Sequence, residues 1–261
     1  MKIKIFCLER DNLAKYIKKN YPHFRILSQK EKIKPDFVLC YGGDGTLLMS
    51  ERENPGVPKV SIRNSQICNT CRWETRDAVL RLLEQNKFYI KKHNKIEAIF
   101  KNKHTHALND IIIGHRNINT ALRFKVYIND HQYGTEFLGD GVVAATPIGS
   151  TAYYQVITRS NFEEGIGLAF NNTINSIGHV VIDDDNIIKV VVTRGPGCLR
   201  FDNYKEHYDL KEGDEVTIKK SKEIAQIVNF RGAWNKLNVS ISQNRLPLGY
   251  CQVCRKYYWD K

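Results

Sequence analysis

The apolar run Phe37-Val38-Leu39-Cys40-Tyr41 leads straight into Gly42-Gly43-Asp44-Gly45-Thr46. A short, unbroken apolar segment reads as a strand buried on both faces, and glycines behind it followed by Leu47-Leu48-Met49 read as a turn into a helix. Few architectures accept that sequence of elements. It belongs to an α/β layer with a mostly parallel sheet, whose ligands gather at the carboxyl ends of the strands. The flanks agree: Lys2 to Leu8 reads as a strand, Asp11 to Asn20 as an amphipathic helix with Leu13, Tyr16 and Ile17 inward, and Val57 to Ile62 as a returning strand. Glu74 to Gln85 adds a helix with Val79, Leu80, Leu82 and Leu83 inside.

The loop itself has chemical content. Gly42, Gly43 and Gly45 let backbone N–H groups approach an anionic oxygen without a Cβ in the way, and Thr46 adds a hydroxyl, so a helix starting behind them would favour phosphate. Asp44 would repel phosphate unless it held a metal ion or took a proton, and both jobs belong to phosphoryl transfer. The alternative is a plain strand-to-helix turn with Asp44 as helix cap. A second motif, Gly139-Asp140-Gly141 through Thr146-Pro147-Ile148-Gly149-Ser150-Thr151-Ala152-Tyr153, reads as turn, short strand, turn and helix start. Its end offers hydroxyls and free backbone N–H groups beside an aromatic ring, the parts needed to grip an adenine and its ribose.

From Phe88 onward the period is that of strands. Ile96 to Phe100, Ala107 to Ile113, Arg123 to Ile128, Glu136 to Ala145, Ile187 to Thr193, Glu215 to Lys219 and Ile224 to Phe230 are β-rich runs between turns. The expected organisation is an α/β nucleotide-binding domain over residues 1–92, an all-β sandwich over 93–235 and a tail over 236–261. Asp183-Asp184-Asp185 matches no calcium-loop spacing and reads as a solvated turn.

Cysteine spacing adds a metal reading. Cys68-x-x-Cys71 and Cys251-x-x-Cys254 supply four thiolates for one structural zinc ion, which would pin the tail to the first domain. Redox-active dithiols, an iron–sulfur centre or unrelated cysteines use the same spacing. Cys7, Cys40 and Cys198 sit in or beside apolar stretches and read as inert core thiols. The formal charge of +12 suits polyanionic small substrates as well as nucleic acid. Lys15, Lys18 and Lys19 lie on the polar face of a helix, which favours the simpler explanation of a solvated surface. No apolar run is long enough to span a bilayer, and Met1 to Phe6 reads as strand, so a soluble cytoplasmic protein is expected.

Gly42 to Thr46 followed at a distance by Gly139 to Tyr153 resembles the NAD kinases. Diacylglycerol-type lipid kinases and phosphofructokinases carry similar glycine-aspartate loops, but the Thr146 to Tyr153 element is specific to NAD kinases. The resemblance covers roughly residues 36 to 155. It implies an α/β domain joined to a β-sandwich with a returning tail, and transfer of the ATP γ-phosphate, with Mg²⁺, to the adenosine 2′-hydroxyl of NAD. It also implies that Asp44 activates the acceptor hydroxyl, that Asn109-Asp110 holds ribose hydroxyls in place of the family's Asn-Glu, and that Thr151 and Tyr153 contact adenine and ribose. Asp140 matches an aspartate that contacts a ribose of the dinucleotide, in many members from a neighbouring subunit, so a homodimer or homotetramer is implied.

Two departures stand out. The family's glycine-rich stretch after the third strand is replaced by Ser61-Ile62-Arg63-Asn64-Ser65-Gln66-Ile67-Cys68, and beyond Tyr153 a Ser-x-Gly-Gly-Pro segment is replaced by one containing Arg159. Arg159 would grip a phosphate of NAD, mark a different acceptor, or be a surface arginine without a role in binding. Three other functions remain open to the sequence: a kinase of this fold acting on another hydroxyl, a non-catalytic nucleotide sensor, and a zinc-dependent nucleic-acid-binding protein. The last leaves Asp44 and the Thr146 to Tyr153 element unexplained.

Overall fold

The computed structural model describes residues 1–6, 10–28, 30–64, 75–174 and 177–230. The four cysteines assigned to zinc, Cys68, Cys71, Cys251 and Cys254, lie outside them, as does Cys7.

In chain order the first half contains β1 (Lys2–Phe6), α1 (Arg10–Asn20), β2 (Arg25–Ile26), β3 (Phe37–Gly42), α2 (Asp44–Glu53), β4 (Lys59–Arg63) and α3 (Arg76–Glu84). Strands β1 to β4 pair in parallel, in the order β2-β1-β3-β4. Alternate residues of β3 face opposite layers, as its continuous apolar run requires. Leu39 packs with Leu13 and Ile17 of α1 and Val79, Leu80 and Leu83 of α3. Val38 and Cys40 pack on the other side against Leu47 of α2.

The rest is β-rich, as its period predicts: β5 (Phe88–Phe100), β6 (Lys103–Ala107), β7 (Asp110–His115), β8 (Leu122–Ile128), β9 (His131–Gly139), β10 (Gly141–Ala145), a 3₁₀ turn (Gly149–Thr151), α4 (Tyr153–Thr158), β11 (Ile166–Asn171), β12 (His179–Ile182), β13 (Ile188–Arg194), β14 (Gly197–Phe201), β15 (Tyr208–Leu210) and β16 (Glu215–Phe230). One antiparallel sheet runs β12-β11-β10-β7-β14-β15. It faces β5, β6, β8, β9, β13 and the first part of β16 across a core that includes Ile111, Ile113, Phe124, Phe137, Val190, Leu199 and Phe201. Two packed sheets of this kind make the expected sandwich.

Strand β16 joins the halves. Its first part pairs with β13 and its end with β4, while β5 pairs along nearly its whole length, so the parallel layer and one leaf of the sandwich form a single ten-stranded sheet. The boundary drawn at residue 92 falls inside β5. Strand β5 starts eight residues before the expected Ile96 because Lys91, Lys92 and Asn94 are exposed and their pairing with β16 is carried by backbone bonds. Two of the expected strands are each two strands. Ala107 to Ile113 breaks at Leu108-Asn109, and Glu136 to Ala145 breaks at Asp140, because at each break the chain crosses from one sheet to the other. Gly141 makes the second crossing possible: it has φ +141°, and a Cβ there would lie 2.1 Å from the Ile113 carbonyl oxygen. The run 183–185 is a surface turn in which Asp184 accepts from Lys220 and Asn94. Among the described residues no helix is long and apolar enough to cross a membrane.

Candidate active site

Strand β3 delivers the glycine loop to the end of the parallel sheet. Helix α2 begins at Asp44, earlier than the expected start after Thr46, with Gly43 as the residue before it. The Gly43 carbonyl accepts from Thr46 N (3.0 Å) and Leu47 N (3.3 Å), and a Cβ on Gly42 would lie 2.1 Å from Thr46 Oγ1. Asp44 is therefore a first-turn carboxylate at the positive end of a ten-residue helix, half-buried at the loop surface. The far end of α2 is anchored by buried ions. Glu51 lies between the Lys59 and Lys95 ammonium groups, the latter at 2.7 Å, and Lys59 also donates to the carbonyls of Asn54 (2.6 Å) and Val57 (2.7 Å).

The Asn109-Asp110 turn, where the chain enters β7, is held by Asp202, a functional residue that no motif in the sequence marks. Asp202 has φ +44° at the end of β14, and its carboxylate accepts the backbone N–H of Leu108 (2.8 Å), Asn109 (2.7 Å) and Asp110 (3.2 Å). Its own N–H returns to the Asp110 carbonyl at 3.0 Å. Asp110 is buried, and burial first, then the neighbouring Asp202 carboxylate, push its carboxyl up to about 7. Burial raises Asp202 too, opposed by its three backbone donors. The signal for Asp202 is present in the sequence: Leu199 to Phe201 runs into Asp202-Asn203, an Asx pair at a strand end like Asn109-Asp110.

The Thr146 to Tyr153 element closes against this turn. Thr146 N donates to Asn109 O (2.9 Å) and its hydroxyl to Leu108 O (2.5 Å). Gly149 touches the same backbone so closely that a Cβ would sit 1.9 Å from Asn109 O. One expectation is corrected here. The backbone N–H groups of Ser150, Thr151 and Ala152 are not free for a ligand, because they donate to Thr146, Ile148 and Gly149 within the 3₁₀ turn. The hydroxyls of Ser150 and Thr151 likewise donate to carbonyls, of Pro147 (2.7 Å) and Ile148 (2.9 Å), which leaves them as acceptors. Tyr153 is exposed and its hydroxyl accepts from Asn171 at 2.9 Å, whereas Tyr154 is the buried core aromatic. Arg159 ends α4 in the left-handed region (φ +59°) with its side chain exposed.

Two contacts bring the motifs together. Asn203 donates its side-chain amide to Gly45 O at 3.0 Å, tying the Asp202 turn to the glycine loop. Ile148 packs both on the Val38-Cys40-Leu47 cluster and on the Leu48-Leu108-Ala225 cluster. Asp44 and the Asn109-Asp110 turn thus belong to one region, at the junction between α2 and the sandwich. Asp140 does not join it. It lies at the other end of β10 from Thr146, about 20 Å away at strand rise, where its carboxylate accepts from Asn172 at 2.7 Å and lies 3.5 Å from His115 Nδ1.

The family model for the ATP-NAD kinase C-terminal domain matches residues 108–230. An NAD kinase of Sulfurisphaera tokodaii is 32% identical over 247 residues, covering 88% of this chain and 96% of that protein. An NAD kinase of Clostridium perfringens is 28% identical over 223 residues, covering 77% of each. Among solved structures, an Archaeoglobus fulgidus NAD kinase in complex with ATP superposes with a TM-score of 0.74 at 15% identity, covering 93% of this chain and 99% of that one. Yeast NADH kinase complexed with NADH gives 0.74 at 18% identity, covering 94% and 88%. At those identities the structures speak for the fold, and the sequence relatives speak for descent: the chain belongs to the NAD kinase family.

Proposed function

We infer that this protein transfers the γ-phosphate of ATP to the adenosine 2′-hydroxyl of NAD, giving NADP. The observation that carries the reading is the junction itself: the glycine loop that bears Asp44 is tied through Asn203 to the Asp202 turn, which holds Asn109-Asp110, and Ile148 packs between α2 and Leu108. A phosphate at the glycine loop and a ribose at the turn would then meet beside one carboxylate. The ribose hydroxyls bond to Asn109 and Asp110, with Asp110 protonated or ionised near neutral pH and so able to donate or accept. Asp44 takes the proton of the attacking hydroxyl, and the phosphates lie over Gly42, Gly43, Gly45 and Thr46 in the field of the α2 terminus. Thr151 and Tyr153 border the adenosine, and Arg159 offers charge to the diphosphate from the end of α4. Mg²⁺ would arrive as part of the ATP complex over Gly42 to Thr46 and would supply charge neutralisation at the phosphates, leaving Asp44 as the proton acceptor.

Asp140 lies too far from this junction to act in it, so in this reading it serves the site of a neighbouring copy. The zinc reading of Cys68, Cys71, Cys251 and Cys254 rests on their spacing.

The test is product identity. With NAD, ATP and Mg²⁺, phosphorus NMR should reveal a new phosphomonoester on the adenosine 2′-oxygen, and 2′-deoxy-NAD should give none. Phosphorylation of 2′-deoxy-NAD, or of a sugar or inositol in preference to NAD, would overturn the assignment.

A further inference from the structure

The edge of the six-stranded sheet distal to α4 carries a second cluster of chemistry that phosphoryl transfer leaves unused. Strands β14 and β15 pair with Cys198 opposite Asp209, and His207 lies two residues before Asp209 at the entry to β15. Cross-strand partners and an i, i+2 neighbour share one face of a sheet. Leu199 and Phe201 point into the sandwich, so Cys198 takes the outer face. A nitrogen of His207, the Cys198 sulfur and a carboxylate oxygen of Asp209 all lie within 4.8 Å of one another. The neighbour of Cys198 on the other side is Gly114, and Cys198 itself is buried while His207 and Asp209 are exposed.

We propose that Cys198, His207 and Asp209 form a binding site for a zinc-class divalent transition-metal ion. Thiolate, imidazole and carboxylate together are the donor set that zinc and cobalt take, and three protein ligands leave a fourth position for water or a small anion. At ordinary bond lengths of about 2.0 to 2.3 Å, tetrahedral ligand atoms stand about 3.3 to 3.6 Å apart. Closing the gap from 4.8 Å needs shifts of about an ångström, which the two exposed side chains can supply by rotation. Arg116 Nε holds Asp209 Oδ1 at 2.8 Å, an outer contact that orients the carboxylate and leaves its second oxygen for the ion. On binding, the ion exchanges waters for the three ligands and the Cys198 thiol proton passes to solvent. The resulting charge balances, since +2 meets one thiolate and one carboxylate, so Arg116 does not face a net cation. Cys198 then has a role that its apolar setting in the sequence conceals.

Cobalt(II) is the probe, titrated into the chelator-treated full-length chain. Because the chain carries other cysteines, the readout is the difference between parent and variants. His207→Ala and Asp209→Asn, both exposed, should each bind one equivalent fewer of cobalt than the parent, or bind the last equivalent at least about tenfold more weakly. Cys198→Ser should also lose the sulfur-to-cobalt charge-transfer absorption belonging to that equivalent. Stoichiometry, affinity and spectrum identical to the parent in His207→Ala and Asp209→Asn would overturn the proposal, whether or not Cys198→Ser folds.

Discussion

Replacing Asp110 with Asn should stabilise the protein at neutral pH while weakening its hold on a nucleotide. Asp110 is buried beside a second carboxylate, Asp202, and its carboxyl is pushed from the ordinary 3.8 up to about 7. A carboxyl whose folded-state pKa is raised binds more protons folded than unfolded between those values. Stability therefore falls as pH rises from about 4 to about 7, and the loss is complete above that. The rise corresponds to about 4 kcal/mol at pH 8, an upper bound because the two carboxylates titrate as a pair. Asn has nearly the same shape, carries no charge and can donate toward Asp202, so it should recover a large part of that loss, at least about 1 to 2 kcal/mol. Urea unfolding from pH 4.5 to 8 is the assay. The variant should gain stability relative to the parent as pH rises and converge with it near pH 4. A variant equally destabilised at both ends of the range would refute the reasoning, since that is the signature of lost packing.

Other substitutions test the scaffold of the junction. Asn203→Ala removes the amide bonded to Gly45 O and should cost about 1 kcal/mol of stability but about tenfold in kcat/KM, because it frees the glycine loop from the Asp202 turn; unchanged kinetics would show that the contact does not position the loop. Glu51→Ala strands the buried ammonium groups of Lys59 and Lys95 and should cost about 3 to 5 kcal/mol in chemical denaturation, with Glu51→Gln intermediate. A cost under 1 kcal/mol would mean that the network is not what anchors α2. Gly149→Ala puts a methyl within 1.9 Å of Asn109 O and should weaken NAD binding, measured calorimetrically, more than ATP binding. Equal loss of both would point to general unfolding of the loop.

What the sequence made legible follows from how local each signal is. Strand β3, its glycine loop and the burial of Leu13, Ile17, Val79 and Leu80 are set by periodicity and turn chemistry within a dozen residues, and these agree with the structure. The sandwich was readable as a run of strands, but not which sheet each joined. Leu108-Asn109 lies unmarked inside the run Ala107 to Ile113 and Asp140 is legible only as part of a turn; that both are crossings between sheets depends on partners far along the chain. The polar first half of β5 escapes a hydrophobic pattern because backbone pairing with β16 sustains it. β11, β12 and β14 are short or glycine-bearing and give no strand-length run in the sequence. At the candidate site, Asp44, Asn109 and Asp110 could be found as motif residues. Asp202 and Asn203 could not be given their roles, since a carboxylate that serves three backbone N–H groups some ninety residues away leaves no periodic trace. The N–H groups of the 3₁₀ turn are the converse case: they look available in a Gly-Ser-Thr string, and only the fold reveals that the turn consumes them.

The most direct test of the central claim pairs turnover with binding in Asp44→Asn. Asn keeps the size of the side chain and its place in the first turn of α2 but cannot take a proton. Isothermal titration with NAD and with ATP–Mg²⁺ should give affinities within about threefold of the parent, while NADP formation falls by about 10² to 10⁴, the range for loss of a general base. NADP formation at the parent rate with binding intact would contradict the assignment of Asp44 as the group that activates the 2′-hydroxyl.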